Sequence, residues 1–331
     1  MEPAKSRHAL VDLHVVIPAF APERWRWIEP ANADRGWNWH FHYTGREACR
    51  RAVRTSRNSK NSILFSHGDR DARECAKLRA IAGYGRPFYV PFSFHSPYKR
   101  GFRERLVFRR LAPFMDLIVV HCEYERQVYA NELDVPLSRI EVVPWYYEDA
   151  EVEEPAKIEQ PYMCAVGASM RDYNTLFRAM QKLPDIRLVV IVRPENLEGL
   201  EVPSNVAVLQ NTPKEDLWNI QYHSRLHVLP LNTSARSGHA CLTQAMYFRC
   251  PNIVADVPCM SDYVQQDVTA KTYRPEDAEH LANVIRGLWD DDEACGALGE
   301  AARAHALKHF SQRSMGDYLE SVVNRYVLVN D

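Results

Sequence analysis

Short apolar runs alternate with amphipathic stretches along the first half of the chain. Apolar or alternating runs predict strands at residues 13–20, 37–43, 62–66, 86–92, 117–121 and 139–144. Helical periodicity predicts helices at 46–56, 71–82 and 101–111, and a fourth helix that ends at Asn131. Because nearly continuous apolar strands that alternate with helices form parallel sheets covered on both faces, this half is predicted to be an α/β domain.

The second half repeats the scheme. Strands are predicted at 162–166, 186–192, 206–209, 226–231 and 252–255, and helices at 172–182, 213–223, 238–248, 275–289, 291–309 and 312–326. Thr212 is a predicted N-cap of the helix that follows it. The stretch 147–161 is acidic and contains two prolines, which is typical of a linker. We therefore predict domains over residues 1–147 and 148–311.

The composition narrows the class of protein. A chain of 331 residues with 46% hydrophobic and 25% charged residues suits two globular domains. No apolar run approaches the ~18 residues of a membrane span, and residues 1–10 lack the apolar core of a signal peptide, so a cytoplasmic location is expected. None of the eight cysteines forms a Cys-x-x-Cys pair, which favours reduced, buried thiols over a zinc site.

Charge is distributed unevenly between the halves. Residues 1–145 hold 24 Lys and Arg against 16 Asp and Glu, a net of +8, whereas residues 146–331 hold 17 against 27, a net of −10. This asymmetry either reflects an anionic partner of the first half or is an ordinary surface difference between two domains. A pI near 6.7, without any nucleic-acid-binding motif, argues against a nucleic-acid partner.

The basic charge is densest in residues 96–110, where six basic residues accompany Tyr98, Phe102 and Phe108. Such a helix can lie on an anionic membrane surface, bind an acidic acceptor, or be an ordinary solvated helix face. The residues assigned to this acceptor or membrane side are His95, Lys99, Arg100 and Arg103.

Two predicted strand-to-helix turns in the second half are candidates for phosphate binding. Gly167 and Arg171 lie in one turn, and Ser237, Gly238 and His239 lie in the other. Open α/β sheets bind ligands at the carboxyl ends of their strands, and the free amides of a helix N-terminus favour anions. The alternative is that both are ordinary turns without a ligand.

Three other patterns carry less weight. Asp69-Arg70-Asp71 resembles a metal-binding triplet, but a helix N-terminus explains it better. His40 and His42 point to one face of a strand, which favours packing over metal binding. Gly-x-Gly-x-x-Gly and Walker A patterns are absent, so dehydrogenase and P-loop functions have no support.

The order of the pieces in the second half resembles the donor-binding half of GT-B glycosyltransferases of the family-4 type, also called group 1. The matching pieces are Gly167 to Tyr173, Leu229-Pro230-Leu231, Ser237-Gly238-His239, Leu242 to Met246 and Cys250 to Val257. The likeness covers roughly residues 160–310, with a looser match at 115–147. It implies two Rossmann-like domains that face each other across a cleft. It also implies that the last helix, residues 312–328, crosses back to complete the first domain.

The resemblance also implies roles for individual residues. Arg171 matches the basic residue on the donor diphosphate, and His67 stands where such enzymes place a histidine near the transferred sugar. Gln244 stands where a glutamate usually binds the ribose hydroxyls. The full set of implied donor-binding residues is Gly167, Arg171, Arg193, Ser237, Gly238, His239 and Gln244. The substrate would be a nucleotide sugar, with neither a cofactor nor a metal, and the acceptor a carbohydrate or a lipid-linked molecule, as in glycan or glycolipid synthesis.

The chain departs from the family pattern at several points. Gln244 replaces one of two usual glutamates, no acid lies near Arg236 where the other is expected, and residues 18–22 replace a Gly-rich loop. A GT-B-like binding or partner subunit without activity is therefore the alternative, and a metal-dependent GT-A enzyme using Asp69 and Asp71 is a third hypothesis. The family implies retention of configuration. An inverting enzyme would need a base, for which His67, Asp69 and His95 are candidates.

Overall fold

The computed structural model of the chain describes residues 11–17, 37–43, 45–58, 61–82, 87–94, 101–152, 155–233 and 236–326. The chain divides into two units. Unit 1 comprises Met1–Val143 and Gln312–Asp331, and unit 2 comprises Pro144–Ser311.

Strands and helices alternate through both units. The strands are β1 Val11–Ile17, β2 Trp37–Tyr43, β3 Ser62–His67, β4 Phe88–Phe92, β5 Ile118–Val120, β6 Ile140–Val142, β7 Met163–Val166, β8 Leu188–Ile191, β9 Val206–Leu209, β10 Leu226–Leu229, β11 Asn252–Ala255 and β12 Lys271–Tyr273. The helices are α1 Arg46–Ser56, α2 Gly68–Ala82, α3 Phe102–Leu111, α4 Glu123–Leu133, α5 Tyr173–Met180, α6 Lys214–Tyr222, α7 His239–Tyr247, α8 Ala278–Trp289, α9 Asp292–His309 and α10 Gln312–Tyr326.

Unit 1 is built on a parallel sheet in the order β2-β1-β3-β4, with β5 and β6 as a further parallel pair. The amide of Phe94, just after β4, donates to the carbonyl of Val119 in β5 at 2.9 Å. Strand β5 therefore lies next to β4, and the β5-β6 pair follows β4 in the order of strands. The connections that carry α1, α2 and α3 all advance in one direction across these strands. Because parallel crossovers are right-handed, these helices lie side by side on one face.

The last helix belongs to unit 1. The ring of Tyr326 in α10 stacks on Phe88 with centroids 4.0 Å apart, and Arg325 pairs with both carboxylate oxygens of Glu141 at 2.6 and 2.9 Å. Charge-assisted, bidentate pairs of this kind fix orientation as well as adding energy. The predicted return of the last helix to the first unit is confirmed.

Unit 2 is built on a parallel sheet in the order β12-β11-β10-β7-β8-β9. The first strand of this unit, β7, lies in the middle, with β8 and β9 on one side and β10 to β12 on the other. Chain direction across the sheet therefore reverses between β7 and β10. At such a switch point the loops leaving the two strands open a crevice, where doubly wound sheets bind ligands.

The structure corrects three local predictions. Helix α2 begins at Gly68 instead of residue 71, so Asp69 and Asp71 both lie in its first turn, where the helix dipole favours carboxylates. Helix α6 has Pro213 as its N-cap and no side-chain cap, so the predicted Thr212 cap is wrong. Strand β12 was not predicted, because Lys-Thr-Tyr is too short and polar to give a pattern.

Cysteine burial follows the prediction, since all eight cysteines are free and Cys241 alone is not buried. Of the helices in the described ranges, not one combines the length and the apolar character needed to cross a bilayer.

Three histidines stack beside each other on β1 and β2. The parallel register places His14 opposite His40, their rings stack with centroids 4.4 Å apart, and His14 Nδ1 lies 3.3 Å from His42 Nε2. Burial is the main cause that lowers the pKa of His14 to about 4, with the neighbouring histidines adding to it and Asp12 opposing it. Burial, with Arg51 and His40, lowers the pKa of His42 to about 4 as well. Both imidazoles are therefore neutral packing groups near pH 7.

We expect this cluster to make unit 1 less stable in mild acid. The folded-state pKa of about 4 lies below the ordinary value of 6.5, so the stabilising contribution is complete above pH 6.5 and is lost as pH falls towards 4. Hydrogen exchange of the β1 and β2 amides, followed from pH 7 to pH 4.5 with correction for intrinsic rates, measures this loss. In His14→Gln the pH dependence should be shallower, while exchange in the exposed-histidine variant His309→Gln should match the wild type. An unchanged pH dependence in His14→Gln would contradict the interpretation.

Candidate functional site

The loops that follow β7 and β10 join at the switch point of unit 2. Arg171 and Leu231 form an isolated antiparallel bridge. The amide of Asp172 donates to the carbonyl of Pro230 at 3.0 Å, and the amide of Asn232 donates to that of Met170 at 3.3 Å. Backbone hydrogen bonds therefore fix the two predicted phosphate-binding turns against each other.

Gly167 allows its turn to hold an arginine close to the backbone. Its φ is +111°, a conformation that L side chains rarely adopt. A Cβ at this position would also collide with the guanidinium of Arg171. Any larger residue at 167 would displace that side chain as well as strain the turn.

The guanidinium of Arg171 bridges the β7 turn to the start of α7. It donates to the carbonyls of Val166 and Ser169 at 3.2 and 2.8 Å, and it lies 3.5 Å from Ser237 Oγ and 3.4 Å from Cys241 Sγ. Arg171 is part-exposed, so its charge remains available to a ligand. The sequence analysis predicted a basic side chain, Arg171, in this turn, but it did not predict that Cys241 is its neighbour.

The N-terminus of α7 completes the site. Gly238 is the N-cap with φ +108°, and as a glycine it has no side chain that could cap the helix. Ser237 Oγ donates to the carbonyl of Ser169 at 2.7 Å, which fixes the approach of the helix to the β7 turn. The positive end of the α7 dipole and a guanidinium thus converge, and this arrangement is suited to an anion.

The ring of His239 is engaged in the interior of unit 2. The residue is buried, its Nε2 donates to the carbonyl of Cys259 at 3.2 Å, and its ring lies against Tyr263 with centroids 4.7 Å apart. The contact of the His239 amide with a donor phosphate stays a prediction.

Gln244 clamps the backbone of the segment that enters unit 2. Its Oε1 accepts from the amide of Glu148 at 2.9 Å, and its Nε2 donates to the carbonyl of Glu148 at 3.1 Å. Gln244 is only 6% exposed, so its side chain lies inside unit 2. The Glu148 carboxylate pairs with Lys214 at 2.5 Å. A ribose contact by Gln244 stays a prediction, and it would have to share the amide with this clamp.

Two further contacts support the β7 turn. The hydroxyl of Tyr173 donates to the carbonyl of Gly167 at 2.5 Å, and burial raises the pKa of this tyrosine. Asn196 Nδ2 donates to the carbonyl of Ala168 at 2.7 Å. Arg193, which was predicted to bind the sugar donor, follows β8 and is exposed, with its guanidinium 3.9 Å from Glu195. The residue after β8 that contacts the β7 turn is Asn196.

The predicted residues of unit 1 lie at strand ends and on α3. His67 ends β3 and is part-exposed, and Arg103 is exposed on α3. His95, Lys99 and Arg100 lie outside the described residues. Sequence reasoning missed a buried pair, in which His121 Nε2 lies 2.8 Å from Ser93 Oγ and His121 Nδ1 lies 2.8 Å from the carbonyl of Val143.

The Asp69–Asp71 pattern has a structural explanation. Asp71 is buried and faces the thiol of Cys49 at 4.0 Å, so it is not free to join Asp69 as a metal ligand. Within the described ranges, no three His, Cys, Asp or Glu side chains are placed to hold a metal ion.

One known protein family matches most of unit 2. Residues 149–305 match the family model described as glycosyl transferases group 1. The match spans nearly all of unit 2, which is therefore similar to group 1 glycosyltransferase domains. The matched range contains the β7 turn, the β10 loop and α7, so it covers the whole anion-binding arrangement. No curated protein sequence matches the chain.

Solved structures extend the likeness over nearly the whole chain. Sucrose-phosphate synthase from Thermosynechococcus elongatus has a TM-score of 0.76 at 14% identity, over 95% of this chain and 98% of that one. A glycosyltransferase from Rickettsia africae has a TM-score of 0.69 at 11% identity, over 98% and 100%. HepE from Anabaena, solved in complex with UDP-glucose, has a TM-score of 0.72 at 11% identity, over 95% and 99%.

At such low identity these likenesses establish the fold. The chain has the GT-B fold of two Rossmann-like domains. The resemblance seen in the sequence is thus confirmed, and the GT-A hypothesis is wrong.

The clamp on Glu148 predicts that Gln244 acts on stability. Gln244→Ala would leave a part-buried amide and carbonyl without their partner, which costs about 1–3 kcal/mol in the free energy of unfolding. Denaturant unfolding measures this loss. Gln210→Ala, at an exposed position of the same unit, is the control and should change stability little. Equal stability of the two variants would contradict the clamp.

Proposed function

We propose that the chain transfers a sugar from a nucleotide-sugar donor, whose diphosphate binds between Arg171 and the N-terminus of α7. The observation that carries this proposal is the guanidinium of Arg171 beside the N-terminus of α7, at the switch point of the unit 2 sheet. The match of unit 2 to the group 1 glycosyltransferases supports it, and so does the UDP-glucose bound to HepE.

The site suits a reaction in which negative charge grows on a leaving diphosphate. As the bond between the anomeric carbon and the β-phosphate oxygen breaks, an acceptor hydroxyl forms the new glycosidic bond and loses its proton. The released charge would face Arg171 and the amides of Gly238 and His239. Preorganised donors of this kind stabilise developing charge without reorganisation, so the chemistry requires neither a metal nor a cofactor. In this proposal His67 lies near the transferred sugar, and the product retains its configuration.

We assign acceptor binding to unit 1, where helix α3 exposes both basic and apolar side chains. Phe102 at the start of α3 is 76% exposed, and the exposed Arg103 follows it. An apolar side chain next to arginines suits the boundary of an anionic bilayer. We therefore include a carbohydrate or lipid-linked acceptor and peripheral contact with an anionic membrane through α3.

A binding protein without turnover is the alternative, and one observation favours it. The amide of Gln244 is engaged with Glu148, where the family places a glutamate on the ribose. Release of free sugar or a transferred product from radiolabelled UDP-sugars, in the presence of mixed glycolipid and oligosaccharide acceptors, separates the two. Tight nucleotide binding with no turnover across the donor panel would favour the binding protein.

Arg171→Ala should weaken nucleoside diphosphate binding more than any other single truncation in unit 2. A charge-assisted hydrogen bond contributes roughly 1.5–3 kcal/mol, so the dissociation constant should rise about 10- to 100-fold. Calorimetry with UDP, GDP and ADP on wild type and variant measures the effect. Gln244→Ala should cost less affinity.

The matched control for Arg171→Ala is Arg178→Ala, which removes an exposed arginine from α5 and should leave affinity unchanged. Thermal unfolding of each variant confirms that it is folded. If a folded Arg171→Ala protein binds these nucleotides as well as the wild type does, the diphosphate site lies elsewhere.

Nucleoside diphosphate binding should persist in EDTA. The positive charge at the site comes from the Arg171 side chain and from backbone amides, which a chelator does not remove. Calorimetric titration of UDP in 1 mM MgCl₂ and in excess EDTA tests this, and dissociation constants within about twofold are expected, since both conditions leave the same donors in place. A loss of affinity of tenfold or more in EDTA would show that a divalent ion is part of the site.

A further inference from the structure

Helix α1 presents a row of arginines to solvent. Arg50, Arg54 and Arg57 are spaced by four and three residues, so they share one face, and all are exposed. Like charges at this spacing destabilise an isolated helix. An anion bound along the row would relieve that repulsion.

No carboxylate in the described part of the chain pairs with these three arginines. Other basic residues nearby do have a carboxylate partner. Glu74 of α2 forms ion pairs with Arg46 at 3.4 Å and with Lys77 at 2.9 Å. The row of Arg50, Arg54 and Arg57 therefore carries uncompensated charge, within a half of the chain that is already net positive.

The row borders an open cavity of about 490 Å³ that has both polar and apolar lining. The three arginines and Asn58 line it together with Val53, Leu78 and Ile81. Ile81 is 84% exposed, although it is a large apolar side chain. The cavity thus combines phosphate-binding groups with a surface suited to hydrocarbon.

Helix α3, on the other side of α2, also exposes arginines together with apolar residues. Helix α2 packs against both α1 and α3. On α3, Phe102 is exposed, Leu106 and Val107 are partly exposed, and Arg103 and Arg110 are exposed. Arginines mixed with exposed apolar residues over adjacent helices match an anionic bilayer, where phosphates lie directly above acyl chains.

We propose that the α1–α2 cavity is a binding site for the phosphate head groups of an anionic membrane. Arg50, Arg54 and Arg57 bind the phosphates, and Ile81 enters the acyl boundary above the cavity. The proposal extends the membrane contact of α3 proposed above, but it does not depend on donor binding or on transfer, since all its residues lie in unit 1.

Vesicle co-sedimentation of the full chain tests the site. Wild type should partition onto vesicles of phosphatidylglycerol and phosphatidylcholine, and not onto phosphatidylcholine alone. The variant Arg50→Gln/Arg54→Gln/Arg57→Gln should lose partitioning by on the order of 100-fold, since each basic residue near an anionic surface contributes about 1 kcal/mol. Ile81→Gln should reduce it by a smaller factor.

The matched control is Arg178→Gln/Arg187→Gln/Lys308→Gln, which removes three exposed positive charges from unit 2 and should retain binding. Both triple variants should keep wild-type UDP affinity, which separates this proposal from the donor site. A third variant, Phe102→Ser/Arg103→Gln/Arg110→Gln, tests the α3 contact by itself.

Several outcomes would overturn the proposal. The first is that the α1 triple variant partitions onto vesicles as the wild type does. If the α3 variant loses partitioning in the same experiment, membrane contact is through α3 only. Equal loss in the unit 2 control would show nonspecific charge attraction. Displacement from vesicles by 10 mM inorganic phosphate at constant ionic strength would assign the cavity to free phosphate.

Discussion

The contact between the Arg171 guanidinium and the Gly167 turn organises the carboxyl end of the unit 2 sheet. A guanidinium placed over a backbone requires a residue without a Cβ beneath it, and Gly167 also supplies the positive φ that the turn needs. The same side chain reaches Ser237 and Cys241 on α7. One cation thus links the two loops of the switch point, and its position depends on the sheet order that makes β7 and β10 neighbours.

Local charge decides what this end of the sheet attracts, although unit 2 lies in the acidic part of the chain. Several acids of this unit are paired on the surface, among them Asp185 with Arg286, Asp267 with Lys271 and Asp292 with Arg225. Exposed charges farther than about 10 Å are largely screened at physiological salt. Arg171 and the α7 amides act at contact distance, so an anion at the turn senses them more strongly than it senses the net charge.

The sequence predicted the sheets well because buried parallel strands leave a local signal. The bounds of β9, β11 and α10 agree with the prediction, and the two phosphate-binding turns lie together as the strand order requires. The partner of Gln244 was not predictable in this way, because Glu148 lies 96 positions away and the contact is to its backbone. β12 was missed for a related reason, since pairing with β11 defines it and its three residues show no pattern.

The two units handle positive charge in opposite ways, and this follows from what surrounds each arginine. In unit 2, Arg171 is held by carbonyls that fix its position and leave its charge uncancelled. Those contacts suit one anion of defined geometry, because a guanidinium held in place loses little entropy on binding. In unit 1, Arg50 and Arg54 extend from α1 without such partners in the described chain. Flexible arginines adapt to phosphates at varied positions, which suits a surface of many head groups better than a single bound nucleotide.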